Sequence, residues 1–116
     1  LTRQVQIACD MAKNGFARLS GQDAPKFADT ETTFEELQAR IAKTIAFLET
    51  FKPEQIDGTE DKDIVVKRGD KETHYKGMQF LLGHGLPNLY FHTTTTYSML
   101  RASGVEIGKA DYLGKI

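Results

Sequence analysis

Residues 78–103 read MQFLLGHGLPNLYFHTTTTYSMLRAS, and this stretch decides the fold. At helical spacing, Leu82, Leu86, Leu89 and Leu100 fall to one side, and Phe80 and Phe91 to the other. A helix that is apolar nearly all round needs neighbours on several sides, which a bundle of four helices supplies. Gly104 marks its end. Pro87 has no amide hydrogen and crowds the preceding turn. A kink or break is therefore expected between Gly83 and Pro87, with Gly85 absorbing it.

Upstream, two more stretches carry helical periodicity. Leu1, Val5, Ala8, Ala12, Phe16 and Leu19 recur at intervals of three or four, and Gly21 supplies a C-terminal stop. Pro25 lies in the loop that follows, which Phe27 is expected to pin to the bundle. Thr33-Phe34-Glu35-Glu36 reads as a capping box, the Thr33 hydroxyl accepting from the Glu36 amide and the Glu36 carboxylate reaching back to the Thr33 amide. Phe34, Leu37, Ile41, Ile45, Leu48 and Phe51 then form an apolar stripe up to Pro53, with Arg40, Lys43 and Glu49 on the solvated side. Between the second and third helices, residues 63–67 and 72–75 flank Gly69-Asp70 as a small β-hairpin that exposes His74. The tail after Gly104 is expected to be irregular, with Tyr112 and Leu113 returning to the bundle. Residues 1–116 thus read as one all-α, helical-bundle domain with a hairpin insert. The first helix opens at Leu1 with neither an initiator Met nor an N-cap, so the fourth helix is expected to precede this chain.

Composition narrows the function classes. Lys plus Arg number 15 and Asp plus Glu 16, giving a formal charge of -1, without the basic excess on which nucleic-acid binding draws. No apolar run reaches the length of a membrane span, and no signal peptide is visible. The single Cys9 cannot form an internal disulfide and suits a cytoplasmic protein.

Chemistry concentrates on the third helix. Asn88, His92 and Thr95 share one face, flanked by leucines and phenylalanines, so this polar seam is expected to point inward and to require partners. Two histidines four apart can share a transition metal, but here the four-spaced pair is Asn88 and His92, and asparagine suits harder ions. His84 stands eight residues from His92, about 12 Å by helical rise. One reading is a metal or catalytic site; the other is a buried pair satisfied by hydrogen bonds or water. Gln6 and Cys9 on the first helix are the candidate neighbours of His92. Cys9 reads as a small buried thiol, since a nucleophile would need a nearby cation or helix N-terminus.

The segment HGLPNLYFHTTTTYSMLRASGVEIGKADYLG, with LTRQVQIACDMAK and FADTETTFEELQARIAKTIAFL, resembles a bacterial family of unknown function grouped with the DinB/YfiT-like metalloenzymes. The resemblance covers nearly the whole chain. It implies a four-helix bundle with an additional N-terminal helix, often paired as a homodimer. In that superfamily a metal is held by a histidine on the second helix and an HxxxH pair on a later one. The later pair matches Asn88 and His92, and no histidine lies within residues 6–10, so two of three ligands are absent. The resemblance thus implies a degenerate metal site. We expect a small-molecule pocket around His92, Asn88, Thr95, Gln6 and Cys9, with no cofactor. The alternatives are a transferase or hydrolase using His92 or a divalent metal at His92 and Asn88, and a non-catalytic, dimer-forming module.

Overall fold

In chain order, a computed structural model describing residues 1–114 has helices α1 (Thr2–Ser20), α2 (Phe34–Leu48) and α3 (Pro53–Ile56), then strands β1 (Asp63–Arg68) and β2 (Lys71–Lys76). Helix α4 (Gly77–Phe80), a π-helical turn (Leu81–Gly85), α5 (Leu86–Ala102) and α6 (Lys109–Leu113) complete it. Helix α1 is the middle element, packed against α2 on one side and α5 on the other. Gln4 meets His92 near its start and Arg18 lies over the Phe80 ring near its end, so α1 and α5 run antiparallel.

Local signals explain most boundaries. α1 starts without a side-chain cap and ends at Gly21, whose φ of 78° is the left-handed geometry that glycine adopts freely. The Glu36 amide donates to the Thr33 hydroxyl at 3.1 Å, and the Glu36 carboxylate returns to the backbone of Thr32 rather than Thr33. α2 stops at Leu48, earlier than Pro53, and the proline instead opens α3. The strands pair antiparallel from Asp63↔Lys76 to Arg68↔Lys71, leaving Gly69 (φ 60°) and Asp70 as the turn. Gly77 is a packing glycine: a Cβ there would stand 1.8 Å from the Thr59 carbonyl oxygen.

The long helix does not break at Pro87; it widens. The Leu86 amide donates to the Leu81 carbonyl, five residues back, and the wider turn accommodates the proline ring. The Thr93–Thr96 run stays helical although β-branched. Thr95 and Thr96 turn their hydroxyls back onto the carbonyls of Phe91 (2.7 Å) and His92 (2.9 Å).

Two small cores sit at opposite ends of α1. Val5, Cys9 and Leu37 form one; Leu19, Ile64 and Phe80 form the other, closed by Ile56, Val66, Tyr75 and Leu81. Phe80 is only 1% exposed, a burial that contributes about 2–3 kcal/mol. The second core explains how the hairpin is held, since Ile64 and Tyr75 pack it onto the helices.

Helix α2 overturns the pattern reading. Arg40, expected on the solvated side, is buried, and its Nη atoms meet Asp10 (3.0 Å), Asp29 (3.0 Å) and Glu31 (2.9 Å). The apolar stripe is covered only in part: Leu37 is buried against Val5 and Cys9, whereas Ile41 is 40% and Ile45 48% exposed, and Phe34 is exposed too. The guanidinium goes inside because the loop after α1 brings two acids to it, and Phe27 holds that loop between the ammonium groups of Lys13 (4.4 Å) and Lys43 (4.1 Å). The third helix differs likewise from its expected all-round burial. No residue of α5 is fully buried, and Tyr90 and Phe91 are exposed. The tail is irregular over residues 105–108, as expected, but Lys109–Leu113 then forms α6. Tyr112 returns, its ring edge-on to Tyr97 and its hydroxyl accepting from Thr94, but Leu113 stays exposed. Among the described residues no helix is long and apolar enough to cross a membrane.

Candidate functional site

Side chains three and four apart share a helix face. On α1 this places Arg3, Ile7, Asp10, Asn14 and Arg18 along one side, and across from them on the long helix stand His84, Asn88 and His92. Val66, Lys67 and Arg68 of β1 close the third wall. Between them lies a cleft of about 330 Å³. The antiparallel packing gives it two ends, His92 with Gln4 at one and His84 with Arg18 at the other.

His92 is half-buried, and its Nδ1 donates to the Gln4 Oε1 at 2.7 Å. That bond fixes the tautomer of the neutral ring and leaves Nε2 as an acceptor. Asn88 donates from Nδ2 to the His84 carbonyl at 2.7 Å, partnering the backbone that the π turn loosens. The His84 ring stacks on Phe80 and tilts against Tyr75, with centroids 5.5 and 5.7 Å away. Burial first, then the charges of Arg18 and Arg68, hold the His84 imidazole below its ordinary value. His84, set aside by its sequence distance from His92, thus lines the same cleft.

The remaining expected pocket residues lie elsewhere. Thr95 sits on the outer face of α5 beside Tyr90, Phe91 and Ser98. Gln6 is buried toward the α1–α2 loop and donates to Glu31 at 3.0 Å. Cys9 points to the opposite side of α1, in an apolar groove with Val5, Ala8, Ala12, Ile41, Ile45 and Leu89. Burial pushes its thiol up, only partly offset by a hydrogen bond with Thr44, so at neutral pH it is no thiolate nucleophile.

The donors do not make a transition-metal set. His92 offers one nitrogen, Asn88 commits its amide to a backbone carbonyl, and Asp10 shares one oxygen between Arg40 (3.0 Å) and Lys13 (3.3 Å). Among the described residues no three His, Cys, Asp or Glu side chains gather closely enough to hold a metal ion. The arrangement can instead hold a small molecule against hydrogen-bonding and cationic groups. Pattern reading missed Gln4, Asp10, Arg18 and Arg68. The first three follow from the polar face of α1, a periodicity visible in the sequence; Arg68 depends on where the hairpin docks.

A family model described as Domain of unknown function (DUF1993) matches residues 1–113. The fold is similar to the crystal structure of a DinB family member protein from Shewanella denitrificans, at 47% identity and a TM-score of 0.88. The match covers 99% of this chain and 65% of that one, so this chain spans about two thirds of the length of its relative. A search of curated proteins finds no match.

Proposed function

The chain belongs to the DUF1993 family and has a DinB-like fold, and from that premise we propose that it is a small-molecule-binding protein without a competent transition-metal site. The observation that carries this reading is His92, oriented by Gln4 at the mouth of a polar cleft with Nε2 left to accept. A ring held in one tautomer beside unfilled space suits recognition of a ligand more than packing. The rival reading, a transferase or hydrolase with His92 as general base, draws on the same nitrogen, but Asp10, the acid lining the cleft, is already paired with Arg40 and Lys13.

A screen of uncharged polar fragments, read from the His92 ring resonances, tests the proposal. Fragments should shift those resonances in the wild type and fail to bind His92→Phe. Fragments that bind only elsewhere would sink it. Metal analysis of protein purified without a histidine tag should find substoichiometric Ni, Zn and Mn. A full, tightly held equivalent that disappears in His92→Ala would restore the metalloenzyme reading.

The finer architecture belongs to the same proposal. The apolar groove between α1, α2 and α5, about 360 Å³, takes the fourth helix of a bundle, supplied by the longer parent protein. Support comes from the open faces of Ile41 and Ile45 and from the greater length of the related chain. The radius of gyration, 15.2 Å, also exceeds the roughly 13 Å of a compact domain of this size. The homodimer and the cytoplasmic location expected from the sequence remain part of this proposal, the first tested by light scattering after gel filtration.

A further inference from the structure

Resting on the ligand-cleft reading, the geometry points to the class of ligand: we propose that the cleft binds an oxyanion, a phosphate or carboxylate group of a small organic molecule, between Arg18, Arg68 and His84. The charges that face the cleft come from two elements. Helix α1 presents Arg3, Asp10 and Arg18, and β1 presents Lys67 and Arg68; the long helix adds the titratable His84 and His92 and the neutral Asn88. Most of these charges are already answered. Asp10 is held by Arg40 and Lys13, Arg3 by Asp29 at 3.1 Å, and Lys67 by Glu72 at 3.5 Å. Arg18 and Arg68 enter no ion pair among the described residues. Arg18 is half-buried over the Phe80 ring, so its charge is partly stripped of water without a counter-charge.

Two unanswered guanidinium groups from different elements therefore line the same cleft as the His84 ring, in a protein whose formal net charge is -1. Guanidinium forks match phosphate and carboxylate oxygens with paired hydrogen bonds. Ile7, Met11 and Val66 line the cleft beyond them, an apolar wall for the carbon skeleton carrying the anion. A bound oxyanion would also reverse the field on His84 and favour its protonated, donating form.

Calorimetric titration of the whole chain with inorganic phosphate and, separately, with acetate tests the inference. At least one should bind; tighter binding by phosphate assigns a phosphate ligand, tighter binding by acetate a carboxylate one. Arg68→Gln, an exposed position that spares the fold, should weaken binding about tenfold. Arg18→Gln should do the same, and Lys71→Gln, outside the cleft, should not. Saturating anion should raise the His84 pKa, read from its ring proton resonances. Binding unchanged in Arg68→Gln would overturn the inference. If neither anion binds while uncharged fragments still shift His92, the oxyanion inference fails and the cleft reading stands. If neither class binds, both fail.

Discussion

The two sides of the α1–α5 pair are built from the same helices and differ in almost every physical respect. On one side Arg3, Asp10, Asn14 and Arg18 face His84, Asn88 and His92 across a polar cleft. On the other, Val5, Ala8, Cys9 and Ala12 face Leu89, Thr93 and Thr96, with Ile41, Ile45 and Leu48 of α2 forming the far wall. The polar side fixes orientation: His92 has one tautomer, Asn88 one acceptor, and Asp10 two cations. On the apolar side the Thr44 and Thr96 hydroxyls turn back onto the carbonyls of their own helices, and what remains is mainly apolar surface to bury. On our proposal, recognition of a small ligand therefore belongs to the first side and completion of the fold to the second.

The strongest way to break this contrast is Arg40→Met. It leaves Asp10, Asp29 and Glu31 without their buried counter-charge and should cost about 3 kcal/mol in urea denaturation. It also leaves Asp10 to Lys13 alone, making the cleft less positive. The loss should shrink in acid. Burial raises the Glu31 carboxyl, but bonds from Gln6 and Arg40 outweigh it and hold it below its ordinary 4.5. Its contribution is thus present above that value and lost as pH falls through the lower folded one. A loss independent of pH would contradict the clamp.

Next, Ile45→Glu separates the two sides. In residues 1–116 it should change stability by within about 0.5 kcal/mol, since Ile45 is already half-exposed. In a longer chain that carries the proposed fourth helix, the same change should cost about 2 kcal/mol, because that helix would cover the side chain. Equal effects in both would remove the fourth helix from the groove. Smaller again is Asn88→Ala, which should cost about 1 kcal/mol by releasing the His84 carbonyl, while circular dichroism shows the helix intact. The smallest effect is on pH dependence. His84 is held below its ordinary 6.5, so the unfolded chain takes up the proton first, and stability falls as pH drops from 6.5 toward the folded value. His84→Gln should flatten that slope in thermal denaturation; an unchanged slope would show that the ring is not held neutral.

Much of the architecture was legible because local signals carry it. Gly21, the Thr33 cap, Gly69-Asp70 and Gly104 each act within a few residues of themselves, and the elements begin and end beside them. Pro87 marked the right place, and of the kink or break expected there the break is absent, since a widened turn satisfies the chain. The burial of Arg40 on α2 was not legible. Its apolar stripe suggested a core, but Arg40 is drawn inward by Asp29 and Glu31, whose approach depends on how a loop folds. The site divides in the same way. Asn88 and His92 share a face by helical spacing alone, whereas Gln4 meets His92 across 88 residues, a register that no local pattern encodes. Thr95 shares their period but turns its hydroxyl back to its own helix.

The most direct test of the division between the two sides is amide chemical-shift mapping during titration with inorganic phosphate. The shifts should cluster at Arg18, Arg68, His84 and Asn88 and leave Ala8, Ile45 and Thr93 in place. Shifts confined to the groove residues would contradict the assignment of recognition to the polar cleft.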